Sequence, residues 1–151
     1  MGCMAFSHGY GKIPTEEYSI EAIRNGFEHG CTFFDTAEVY SPGLSGIGHN
    51  ELIVGKALKG VRDNAVIATK LFLRVSAFGS VYGTVRRHLE ASLKRLQTDR
   101  VDIYYLHRMG TSILHQQSDF FIVRLLFFLQ NFRAAAFLVR QPLYLFYLLC
   151  I

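Results

Sequence analysis

Cysteine is scarce in this chain. Its three residues, Cys3, Cys31 and Cys150, are odd in number and far apart. They offer no CxxC pair and no disulfide framework, which fits a reducing, cytoplasmic setting. The six histidines add no HExxH spacing, so no metal site is expected. Charge is also sparse: 19% of residues are charged against 50% hydrophobic, a balance that argues against intrinsic disorder. The formal charge of +4 is spread thinly. Residues 1–109 hold thirteen Lys/Arg against eleven Asp/Glu, and Arg124, Arg133 and Arg140 against Asp119 supply the rest. No basic stripe interleaved with aromatics marks a nucleic-acid surface. The pairs Arg86–Arg87 and Lys94–Arg95 read as the wet face of a helix. The N-terminus lacks a basic stretch followed by an apolar run, so no signal peptide is expected. "MGCMAFS" invites a myristoylation reading, but Phe6 stands where that pattern wants Ser or Thr.

What is present is an alternation. "GCMAF" is short, apolar and compatible with a first strand, and a Gly-rich polar loop follows it. "SIEAIRNGFEHG" predicts a helix with Ser19 as N-cap, Ile20, Ile23 and Phe27 on its apolar side, and Gly30 as C-cap. "TFFDTA" predicts a second strand. "NELIVGKALKG" predicts a second helix, with Leu52, Ile53, Ala57 and Leu58 facing inward and Gly60 as its stop. "AVIATK" is a continuous apolar run that suits a strand buried on both faces. "TVRRHLEASLKRL" places Val85, Leu89, Leu93 and Leu96 on one helical stripe, and "VDIYYLH" is a fourth strand. The last three strands begin near residues 33, 65 and 101, with a helix in each gap. That rhythm predicts βαβ units and a parallel sheet.

After Met109 the composition changes. Residues 110–151 are rich in Phe, Leu, Ala, Val and Tyr, and no strand–helix alternation is legible in them. They read as a divergent hydrophobic, helical tail or as coding sequence out of its usual context. Three arginines interrupt every candidate membrane span. The longest uncharged stretch, Gln141 to Ile151, falls short of the roughly 20 residues a spanning helix needs.

In parallel α/β sheets, function gathers where strands end. Here the strands deliver Asp35, Lys70 and His107, and Tyr40 follows Asp35 by five residues. Alone, each has an ordinary reading as a turn cap, a solvated cation or a satisfied loop residue. Together they suit proton donation to a carbonyl oxygen. A phenol is a poor acid at neutral pH, and an adjacent ammonium stabilises its phenolate. An aspartate can aim that ammonium, and a histidine can orient the substrate oxygen.

"TFFDTAEVY", "NELIVGKALKG", "AVIATK" and "ASLKRLQTDRVDIYYLHR" occur in an order and spacing that resemble the aldo-keto reductase family over residues 1–109. The resemblance implies a partial (β/α)8 TIM barrel of about four βα units, an N-terminal part of the family's fold. It implies NADPH-dependent reduction of aldehydes and ketones without a metal. In it Tyr40 is the general acid, Lys70 lowers the acid's pKa, Asp35 holds Lys70 and His107 positions the carbonyl. Gly2, Cys3, Met4 and Asp35 would lie against the cofactor. A dinucleotide-binding alternative is weak, because "GYGKIP" fails G-x-G-x-x-G at its last position.

Two departures matter. The loop "SPGLSGIGHNE" is longer than the family's and has Ser41 in place of the usual Gly, which leaves substrate specificity open. A complete barrel takes about 250 residues, and residues 110–151 carry no motif of the family's later cofactor-gripping loops. Weak or absent activity is therefore expected of the free chain. The alternative is a non-catalytic, membrane-associated or interacting fragment that pairs through open sheet edges or its tail.

Overall fold

A computed structural model describes residues 1–9, 11–43, 46–72 and 81–107, together with the backbone of 136–139. The elements run α1 (Glu16–Glu28), β1 (Phe33–Asp35), α2 (His49–Ala57), β2 (Val66–Leu71), α3 (Val81–Leu96), β3 (Ile103–Leu106) and β4 (Ala136–Val139). All strand pairs are parallel and the sheet order is β1-β2-β3-β4.

The register sorts the strand residues onto two faces. Phe34 aligns with Ile67, Thr69 with Tyr104, and Leu71 with Leu106, and all six are buried. All of them but Thr69 pack with Ile23 of α1, Ile53, Val54 and Ala57 of α2, and Val85, Leu89 and Leu96 of α3 in one hydrophobic cluster. The other face carries Asp35, aligned with Ala68, and Lys70, aligned with Tyr105. Phe33 and Val66 share that face and remain 40% and 36% exposed. A period of two thus sends apolar residues to the helices and the polar strand ends to the opposite side.

Several expectations need correction. "GCMAF" is not a strand. Gly2 makes a single parallel bridge to Asp35, and the chain then turns into a short 3-10 segment, Met4–Phe6. Ser19 is not the α1 cap. Thr15 is, its hydroxyl accepting from the Tyr18 amide, while Ser19 lies buried a turn inside and donates to the Thr15 carbonyl at 2.8 Å. Gly30 does terminate α1, one residue past the cap His29. Its φ of +90° permits the paired bonds Gly30 N to Phe27 O and Cys31 N to Gly26 O. In α2, Leu52 is 40% exposed and Val54 takes the inward position. Arg95 does not stay on the wet face but turns inward to a buried carboxylate. The absence of strands after residue 109 is corrected by β4, which aligns Ala136 with Ile103 and Val139 with Leu106. A helical tail does not hold there, and the rest of that expectation lies outside the described residues. Among the described residues no helix is long and apolar enough to cross a membrane.

Candidate active site

Lys70 leaves β2 on the open face and forms an ion pair with the Asp35 carboxylate, which leaves β1 beside it. The Lys70 ammonium also donates to the Thr36 carbonyl at 2.8 Å. Two anchors on adjacent chain fix a side chain with four rotatable bonds. Its nitrogen lies 4.9 Å from the centre of the Tyr40 ring and 5.9 Å from that of Tyr105. His107 follows β3, its amide extending the ladder to the Leu71 carbonyl at 2.8 Å. Its ring meets Tyr40 edge-on at 5.9 Å and Phe72 at 6.0 Å. The four residues singled out from the strand ends, Asp35, Tyr40, Lys70 and His107, therefore form one cluster at the carboxyl end of the sheet.

Tyr40 sits in the loop after β1 and is held through its backbone. Its amide bonds the Ala37 carbonyl at 3.2 Å, and its carbonyl accepts from Asn50 N at 3.1 Å. Asn50, at the start of α2, is fully buried and works in three directions. Its side-chain nitrogen donates to Cys3 O and Ser7 Oγ, each at 2.8 Å, and its oxygen accepts from Thr36 Oγ1 at 2.6 Å. One amide side chain ties the N-terminal segment, the exit of β1 and the Tyr40 loop together.

A second polar cluster backs the site on the helix side. Glu51 of α2 is fully buried and accepts from Thr69 Oγ1 and Arg95 Nε, each at 2.6 Å. Glu38, 2% exposed, pairs with His88 Nδ1 at 2.8 Å and lies 3.9 Å from the Arg95 guanidinium. The Tyr104 phenol is buried among these groups. Burial first, and then the neighbouring Glu38 and Glu51 carboxylates, hold its pKa well above the usual phenol value. Glu38, Glu51, His88 and Asn50 were not singled out from sequence, and Arg95 was read only as part of a wet helix face. Their charge and polarity mimic a solvated helix face, and only packing reveals them as interior.

Of the residues expected beside a cofactor, Gly2 and Asp35 are adjacent through their bridge. Nothing lies within 4 Å of where a Gly2 side chain would begin, so there is open room at this strand end. Met4 is 37% exposed, whereas the Cys3 side chain is fully buried and offers only its backbone. Burial, reinforced by the Asp35 charge, pushes the Cys3 thiol up to about 12, against the opposing pull of the N-terminal ammonium. This has a stability consequence. Above the ordinary thiol value the unfolded chain releases its proton, while the folded chain holds it to about 12. Stability should therefore fall as pH rises from 9 to 12, by about 4 kcal/mol from this thiol alone. Denaturant melts across that range should show the loss, and Cys3→Ala should reduce it, leaving the share that the raised Tyr104 phenol contributes above its ordinary value.

A parallel sheet backed by helices, with its polar cluster at the carboxyl strand ends, defines part of a (β/α)8 barrel. The chain belongs to the aldo/keto reductase family, whose profile matches residues 1–126. The match runs past residue 109. A curated soybean (Glycine max) relative, "Probable aldo-keto reductase 1", is 41% identical over 118 residues, covering 74% of this chain and 33% of that protein. A Klebsiella pneumoniae aldo/keto reductase, solved in complex with NADP and acetate, is 30% identical with a TM-score of 0.65, covering 82% of this chain and 39% of its own. The holo form of a Bacillus halodurans aldo-keto reductase is 28% identical with a TM-score of 0.69, covering 93% of this chain and 45% of its own. The chain thus spans between a third and a half of the relatives it resembles.

Proposed function

We propose that this chain carries the proton-transfer residues of an NADPH-dependent reductase that converts aldehydes and ketones to alcohols. The carrying observation is the Lys70 ammonium, held by Asp35 and Thr36 O beside the Tyr40 ring, with His107 edge-on to that ring. Tyr40 gives its hydroxyl proton to the carbonyl oxygen as the alcohol forms. Lys70 stabilises the negative charge left on the Tyr40 oxygen. Asp35 keeps Lys70 aimed, and His107 donates to the substrate oxygen and orients it. NADPH, when bound, supplies the hydride to the carbonyl carbon. Gly2, Asp35 and the backbone around Cys3 and Met4 would hold its reacting end. The substrate is a small carbonyl compound, and the working compartment is the cytoplasm.

The grip that positions a cofactor comes largely from its remote parts, and this chain spans only 33% to 45% of the relatives named above. Turnover by the free chain is therefore expected to be weak. The test is NADPH titration and aldehyde reduction by the purified chain and by Tyr40→Phe, which removes the proton donor. Turnover should drop about 100-fold or more in the variant. Equal turnover overturns the assignment of Tyr40. Micromolar NADPH binding with steady turnover by the parent overturns the expectation of weak activity.

A second reading rests on the exposure of Phe33 and Val66 on the sheet face opposite the helices. Such a face favours self-association or pairing with a relative. Sedimentation of a monodisperse monomer would rule against it.

A further inference from the structure

We infer that Glu38 is a positioning residue for the reacting cluster, acting through the backbone at Lys70 and just after it. The inference rests on the reading of Tyr40, Lys70 and His107 given above. Glu38 lies two residues before Tyr40, and its position is fixed from four directions. Its amide donates to the Lys70 carbonyl at 3.3 Å. Its carbonyl accepts from Gly48 N, where the loop carrying Tyr40 returns to α2. One carboxylate oxygen accepts from the Phe72 amide, two residues beyond Lys70. The other pairs with His88 Nδ1 at 2.8 Å and faces Arg95 of α3 at 3.9 Å.

The geometry assigns a purpose to this arrangement. β2 ends at Leu71, and the Glu38 carboxylate accepts from the Phe72 amide just beyond it. Glu38 thus holds the chain at the Lys70 carbonyl through its own amide and at the Phe72 amide through its carboxylate. Phe72 and Tyr40 both present their rings to His107, each in an edge-on contact. A single carboxylate, 2% exposed and anchored on α3, therefore sets the spacing of β2's exit, the Tyr40 loop and His107. Removing it should let Phe72 and the loop drift while the helix-side core stays packed.

The test uses the whole chain with 13C-labelled histidine and tyrosine, the His107 and Tyr40 signals being assigned by their loss in His107→Gln and Tyr40→Phe. In folded Glu38→Ala both sets of ring signals should move, and by more than in Asp63→Asn at the opposite end of the sheet. Glu38→Gln keeps an acceptor for the Phe72 amide and should restore them. If Glu38→Ala does not fold, Glu38→Asp keeps the charge but retracts the carboxylate, and it should move the same signals. A residue that only stabilised the fold would change the unfolding midpoint and leave native-state shifts in place. His107 and Tyr40 signals at parent positions in folded Glu38→Ala, or in Glu38→Asp where that replaces it, overturn the inference. Where turnover is measured, Glu38→Ala should lower kcat about 10-fold with KM unchanged. Unchanged kcat also counts against it. Failure of the reductase reading is separately visible, because Tyr40→Phe would then turn over like the parent while the shift pattern stood.

Discussion

Replacing Arg95 with alanine is expected to lower the stability of the chain by about 3–5 kcal/mol, the range for breaking a buried ion pair from one side. Its partner Glu51 is fully buried and receives hydrogen bonds only from Thr69 and Arg95 among the described residues. Removing the guanidinium leaves an uncompensated carboxylate between α2 and α3, and weakens the field around Glu38. The expectation is specific to the one-sided change. In Glu51→Gln the partner is neutral, so adding Arg95→Ala should cost much less than it does in the parent. Urea denaturation of the two single variants and the double variant measures the coupling, provided the m-values agree. Additive losses would mean that the pair is a bystander.

Gly55→Ala should destabilise by about 3 kcal/mol, the upper part of the range for overpacking a tight contact. In an exposed helix the same substitution is normally helpful, because alanine gives up less backbone entropy. Here a methyl group on Gly55 would sit 2.6 Å from Leu96 O and 2.8 Å from Arg95 O. These are backbone atoms at the end of α3 and cannot swing aside. The two helices would have to separate, and with them the Glu51–Arg95 contact. Gly26→Ala is the matched control. Its methyl would meet the end of the flexible Met1 side chain, which can move, so stability should hold or rise. Thermal melts that rank Gly55→Ala level with Gly26→Ala would refute the close-approach argument.

The legible parts of this molecule were those governed by repetition. Strand starts expected near 33, 65 and 101 fall at 33, 66 and 103, because apolar runs separated by helical stripes leave a periodic trace. The α3 stripe was legible for the same reason: Val85, Leu89 and Leu96 are buried and Leu93 is partly buried. The strand-end residues could be found because a parallel sheet delivers them to one side. The misreadings have local causes. After Gly2, bonds from Phe6 N to Cys3 O and from Ser7 N to Met4 O curl a stretch whose composition suits a strand. Thr15 and Ser19 are both hydroxyl residues one turn apart. The acidic pair Glu16–Glu17 in the first turn was the signal that favoured Thr15. The buried network left no trace, since Glu38, Glu51 and Arg95 look like surface residues until the helices close over them. The β4 strand was hidden because it lies within an unbroken apolar run, residues 134–139, which has no period to read.

The sheet's sequential order has a consequence for how the molecule comes into being. Each strand docks on the one made just before it, so a chain emerging from the ribosome always offers one edge to the next unit and never needs to reopen a finished pair. Asp35, Tyr40, Lys70 and His107 are all supplied once β3 has docked. This cluster of four side chains can therefore assemble on the nascent chain before β4 docks on β3.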